Sequence, residues 1–254
     1  MAKPPTASER HRQLIQLVRL QQTIRVSDAA DALGVHEMTI RRDLNELAKQ
    51  GLLTRTHGGA QLAGLEVPFL TRLQQHPAAK ERIAKAALRF ISAGTTVAFD
   101  ASTTALALAR RLAGLELSAI ATNLETANAL AEVRIPFTLI GGQFHDRSRS
   151  FVGPLAQELV QRFRPDLLFF SAKGFAAEAG FTDNFLPEAG VKEQLIASAR
   201  HVVALIDSSK FGHEALYRFA LPEAVDVLIT EASPPANIRD VLARHNIELI
   251  VAKD

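Results

Sequence analysis

Along the first sixty residues, apolar positions recur every three to four places; further on they gather into short unbroken runs. From Ser8 to Gln22, Leu14, Ile15, Leu17 and Val18 keep helical spacing among charged neighbours, which predicts an amphipathic helix. The β-branched stretch Thr23-Ile24-Arg25-Val26 predicts a brief extended piece. Ser27 predicts the N-cap of a helix over Asp28–Leu33, which Gly34 ends by taking a left-handed conformation. A further helix is expected from about His36 to Gln50, with Ile40, Leu44 and Leu47 on one face and Gly51 as its stop. Leu52–Thr56 and Ala60–Leu62 flank the pair Gly58-Gly59 and predict a hairpin. Three helices and a hairpin make a winged helix-turn-helix.

Gly64 and Pro68 break the pattern, and 63–78 is expected to connect a first domain over 1–62 to a second over 79–254. In the second, apolar runs alternate with helical stretches. The expected strands are Thr95–Phe99, Ser118–Ala121, Phe137–Ile140, Leu167–Ser171, Val202–Ile206, Val225–Thr230 and Glu248–Val251. The expected helices are Thr103–Leu112, Leu124–Val133, Pro154–Phe163, Glu188–Arg200 and Ala236–His245. Continuously apolar strands between helices predict an α/β fold, with a mostly parallel, doubly wound sheet.

Placing Ile40, Leu44 and Leu47 inward turns Arg42 and Met38 outward, with Thr39, Arg41 and Asn45 on the flanks. The outward face of the second helix of a helix-turn-helix enters the DNA major groove, and arginine suits guanine edges or phosphates. Arg55, His57 and Gly58 in the wing, Ser27, and His36 at the helix start complete the expected DNA-binding set. Charge agrees: residues 1–60 hold nine Lys/Arg against six Asp/Glu, while the rest is near balance. The chain has no cysteine, which excludes disulfides, thiolate metal sites and cysteine nucleophiles. Its eight histidines show no ligand spacing with carboxylates, so no metal site is expected. No run of about 18 apolar residues occurs, so no membrane partner is expected. Met1–Ser8 does not read as a signal peptide, which points to the cytoplasm.

A second polar constellation lies beyond the apolar runs. Asp100-Ala101-Ser102-Thr103-Thr104 joins a strand to a helix, where free amides, the helix dipole and hydroxyls favour a phosphate. Lys173 and Lys210 follow expected strand ends, and Lys192 is expected near a helix start, where a cation calls for an anion. His145, Arg147 and Arg149 read as a solvated basic loop.

The chain resembles the DeoR-type bacterial transcriptional regulators. The resemblance rests on Val26-Ser27, Ala30, Leu33-Gly34-Val35, Thr39–Leu44 and Arg55–Ala60, and extends through Asp100–Thr104, Thr122-Asn123, Gly141-Gly142, Ser150–Gly153, Val191-Lys192 and Asp207–Gly212. It departs at His36, where the family places a serine cap, and at Ser102, where it places glycine. The resemblance implies a sensor domain similar in fold to ribose-5-phosphate isomerase. It implies a repressor of carbohydrate-catabolism genes, released by a phosphorylated sugar, working as a dimer or tetramer on operator DNA. The expected ligand set is Asp100, Ser102, Thr103, Thr104, Thr122, Asn123, Gly141, Gly142, Lys173, Lys192, Asp207 and Lys210, with no cofactor. An isomerase with Asp100, Asp183 or Glu188 as base, beside Lys173 or Lys192, is the enzymatic alternative. The family's behaviour weighs against it, so no catalytic residue is expected.

Overall fold

The computed structural model describes residues 5–21, 23–49, 52–56, 58–62 and 67–253. His57, expected in the wing, lies outside them. The chain forms two compact units, Met1–Val67 and Pro68–Asp254.

The first unit runs α1 (Ala7–Gln21), β1 (Thr23–Arg25), α2 (Val26–Leu33), α3 (Glu37–Lys49), β2 (Leu53–Thr56) and β3 (Gly59–Leu62). Leu14 and Val18 of α1, Ala29 and Ala30 of α2, and Ile40, Leu44 and Leu47 of α3 form one core with Ile24 and Leu53. The wing strands pair antiparallel, and β3 also pairs with β1. That second pairing is close: a Cβ on Gly59 would lie 2.0 Å from the Ile24 carbonyl oxygen, so glycine is obligatory there. Gly34 has φ 62°, the left-handed helix end expected of it.

Ser27 does not cap α2. The helix starts two residues earlier than expected, Arg25 occupies the cap position without a side-chain bond, and the Ser27 hydroxyl donates to Asp28 instead. The wing carbonyl of Gly58 accepts from Val26 N–H at 2.8 Å and satisfies the helix start through the backbone.

The second unit opens with α4 (Phe69–Gln74) and α5 (Pro77–Ala87), followed by β4 (Thr96–Phe99), α6 (Thr103–Ala109), β5 (Ser118–Ala121), α7 (Leu124–Glu132) and β6 (Phe137–Leu139). A hairpin of β7 (Gln143–His145) and β8 (Ser150–Val152) leads to α8 (Pro154–Gln161) and β9 (Leu167–Phe170). Then come β10 (Gly174–Ala176), β11 (Gly180–Asp183), α9 (Leu186–Ser198), β12 (His201–Leu205), β13 (Tyr217–Ala220), β14 (Val227–Thr230), α10 (Ala236–Arg244) and β15 (Glu248–Val251).

Seven of these strands form one parallel sheet in the order β15-β14-β12-β9-β4-β5-β6. Neighbouring residues of each strand enter opposite cores. Ala98, Leu168, Ala204 and Leu228 face α8, α9 and α10, while Val97, Phe99, Phe169, Val203 and Ile229 face α5, α6 and α7. Burial on both faces is why the strands read as unbroken apolar runs. A smaller antiparallel sheet, β10-β11-β13, is an addition that the expected parallel alternation did not contain.

The expected connector over 63–78 contains α4 and the start of α5. Phe69 is fully buried against Leu106 and Ala129, and its N–H donates to the Arg147 carbonyl at 2.7 Å.

Candidate functional site

On α3, Met38, Arg41, Arg42 and Asn45 share the face opposite the core and line one shallow concavity with Glu46. Glu37 and Arg41 pair at 3.1 Å along that face. Asp43, inside the expected recognition motif, faces the protein instead. Arg10 of α1 grips it through two bonds of 2.7 and 3.0 Å, and His11 Nε2 lies 3.3 Å from it and 3.6 Å from Glu46. Sequence spacing gave no sign of this His-Asp-Glu grouping, because His11 and the carboxylates come from different helices.

His36 caps α3 after all: its Nδ1 accepts from Met38 N–H at 3.1 Å. An imidazole nitrogen thus supplies the acceptor that a serine oxygen would give. Thr39 lies in the same first turn, its N–H bonded to the His36 carbonyl. In the wing, the Arg55 guanidinium donates to the Gly59 carbonyl, and burial followed by repulsion from Arg41 lowers its pKa. Gly58 has φ 85° at the wing's tip, a left-handed turn that suits glycine. Ser27 lies exposed on α2.

In the second unit, the sheet order reverses between β4 and β9. Chains leaving the C-terminal ends of those strands diverge there and open a crevice. The crevice is an open cleft lined by Ser102, Thr103 and Thr104 after β4, Ser171–Lys173 after β9, and Asp207 and Lys210 after β12. Lys192 of α9 also lines it, and the remaining wall is Arg72 of α4, Gln75 and His76 just after that helix, and Lys80 of α5. Those four were missed in the sequence. Their signal was the spacing Arg72, His76, Lys80, four residues apart and basic, but Pro77 interrupts it.

The Asp100–Thr104 turn is built by its own hydrogen bonds. Asp100, fully buried, accepts from Ser102 N–H and Ser171 N–H, each at 3.1 Å, and so ties the ends of β4 and β9 together. Ser102 caps α6 by accepting from Ala105 N–H at 3.1 Å. Thr103 and Thr104, first in the helix, have amides with no intrahelical acceptor.

Lys192 is not at a helix start. It sits in the middle of α9, 3% exposed, and its Nζ lies 2.8 Å from Asp183, 3.4 Å from Asp100 and 3.7 Å from Glu188. It also donates to the Ser171 carbonyl at 3.0 Å. Burial by itself would lower its pKa, but the three carboxylates outweigh burial and hold it above the ordinary lysine value. The same pairing outweighs burial at Asp183 and holds that carboxyl below its ordinary range.

Lys80 differs. It is buried at the cleft wall, its ammonium donates to the Arg72 carbonyl, and burial lowers its pKa to about 8, with Lys210 and Arg72 acting the same way against Asp207. Lys210 lies 3.9 Å from Asp207, whose other oxygen accepts from Ser209 N–H.

Asp100, Thr122, Asn123, Gly141 and Gly142 do not line this cleft, and Asp100 acts beneath it by holding the turn. Thr122 donates to the Phe99 carbonyl, and Asn123 caps α7 through Thr126 N–H. Gly142 has φ 151°, and a Cβ there would come within 2.8 Å of the Val152 carbonyl and 2.9 Å of Ala156, so packing explains it; Gly141 faces open space.

The DeoR-like helix-turn-helix domain matches residues 10–64, and the DeoR C terminal sensor domain matches residues 75–232. The glycerol-3-phosphate regulon repressor of Escherichia coli (strain K12) is 33% identical over 247 residues, covering 95% of this chain and 98% of that one. The HTH-type transcriptional regulator GolR of Listeria innocua is 36% identical over 228 residues, covering 88% and 90%. A solved ribose 5-phosphate isomerase from Methanocaldococcus jannaschii is 17% identical, over 54% of this chain and 55% of that one, with a TM-score of 0.41.

Proposed function

Because the chain belongs to the DeoR family of transcriptional regulators, we propose that it represses carbohydrate-catabolism genes until a phosphorylated sugar or polyol fills its cleft. The observation that carries this reading is the convergence of Lys80, Lys173 and Lys210 on the amide end of α6 at one crevice. Cations facing unsatisfied backbone N–H groups form an anion site, and a phosphate is the anion that catabolic intermediates carry. The E. coli relative is named for glycerol 3-phosphate, which makes that compound a natural first probe.

The operator contact falls to the α3 face and the wing. Symmetric half-sites would match a homo-oligomer, dimeric or tetrameric, acting in the cytoplasm. A ligand moves such a protein off DNA only by binding one arrangement of it better than the other. An isomerase reading has less support, since Asp100, Asp183 and Glu188 surround Lys192, and Asp100 also serves two backbone amides.

The test is a thermal-shift screen of phosphorylated sugars and polyols against their unphosphorylated counterparts, followed by operator binding with each hit. A native-state ligand raises the melting temperature. Hits that require the phosphate and also release DNA support the reading. Stabilisation by the unphosphorylated compounds alone would contradict it.

A further inference from the structure

Met38 is 65% exposed in the first turn of α3. It lies on the same face as Arg41, Arg42 and Asn45, three, four and seven residues further on, and shares their concavity. The core takes Ile40, Leu44 and Leu47 from the opposite side, so fold stability gives no reason for a large apolar group here. Uncovered apolar surface gains when something covers it. The occupant must suit a methionine framed by two arginines, and Arg41 and Arg42 call for a polyanion.

DNA provides both. The N-terminal residues of a recognition helix reach base edges in the major groove, where the apolar feature is the thymine C5-methyl group. Glu37 draws Arg41 toward the start of the helix, which leaves Arg42 and Asn45 as the polar groups one and two turns beyond Met38. We infer that Met38 selects thymine at one position of each operator half-site by packing against its methyl group. This rests on the proposed DNA binding and goes beyond it by naming the base and the chemical group read.

The test uses the full chain and a duplex selected by it from a randomised pool. Each thymine is replaced in turn by deoxyuridine, which removes the methyl and keeps the pairing. At one position per half-site the unaltered protein should lose about fourfold in affinity, the factor for covering one methyl group. Met38→Ala should bind the thymine duplex more weakly but respond to deoxyuridine there by less than twofold; since the side chain is exposed, its circular dichroism should match the parent.

Indifference to deoxyuridine at every position overturns the inference while leaving DNA binding standing. So does an equal loss in parent and variant, which would assign the methyl to another residue. Failure to select any duplex overturns both readings together.

Discussion

Lys80 donates its ammonium to the backbone carbonyl of Arg72, and both residues line the cleft. One amine therefore closes the last turn of α4 and faces the place where an anion is proposed to bind. Its pKa of about 8, lowered chiefly by burial, sets a pH at which the two roles become measurable.

An anion in the cleft favours the charged form of Lys80, so binding near pH 8 should take up protons. Affinity for inorganic phosphate should accordingly fall as pH rises through about 8. Calorimetry in buffers of differing ionisation enthalpy reads this directly. Lys80→Met should abolish the uptake, and an unchanged proton count in that variant would remove Lys80 from the site.

Lys192→Met should destabilise the second unit by about 3–5 kcal/mol, because it leaves buried carboxylates uncompensated. Urea titration followed by circular dichroism checks it. Lys192 has a raised folded pKa, so its contribution is complete below the ordinary lysine value of 10.5 and is lost as pH climbs through the raised one. Asp183 has a depressed one, so its contribution is present above the ordinary 3.8 and is lost in stronger acid. Stability that is flat from neutrality down through pH 3 would argue against the pairing.

His36→Ala should cost the first unit about 1 kcal/mol, the usual loss for an N-cap acceptor, and His36→Ser should restore it. Thermal melting of the two variants beside the parent distinguishes a capping imidazole from one whose loss the helix ignores.

Gly142→Ala should destabilise by about 1–3 kcal/mol through overpacking against Val152 and Ala156, while Gly141→Ala should be nearly neutral. A fall in phosphate affinity without a fall in melting temperature would instead return Gly142 to the ligand site.

Much of this arrangement was readable in the chain. The α3 face and the seven parallel strands follow from hydrophobic period alone, since Ile40, Leu44 and Leu47 repeat as a helix does and runs such as Leu167–Phe170 are apolar on both sides. The α4–α5 wall was not readable. Phe69–Gln74 is a six-residue helix, too short for a periodic signal, and Pro77 separates it from Lys80. Nor could sequence spacing place Lys192: its partners come from β11, the β4 loop and its own helix, and only the folded sheet brings Asp100 and Asp183 to one ammonium. Ser27 and His36 misled in opposite directions, because backbone geometry at the wing and a ring nitrogen did what side-chain identity did not suggest.

The surroundings of Lys192 also set what the cleft presents to a ligand. Lys192 lines the cleft, but Asp100, Asp183 and Glu188, which hold its ammonium, are buried and do not. Among the described lining residues Asp207 is the one carboxylate, beside the five cations Arg72, Lys80, Lys173, Lys192 and Lys210. That excess of positive charge favours a ligand carrying two negative charges over one carrying a single charge or none.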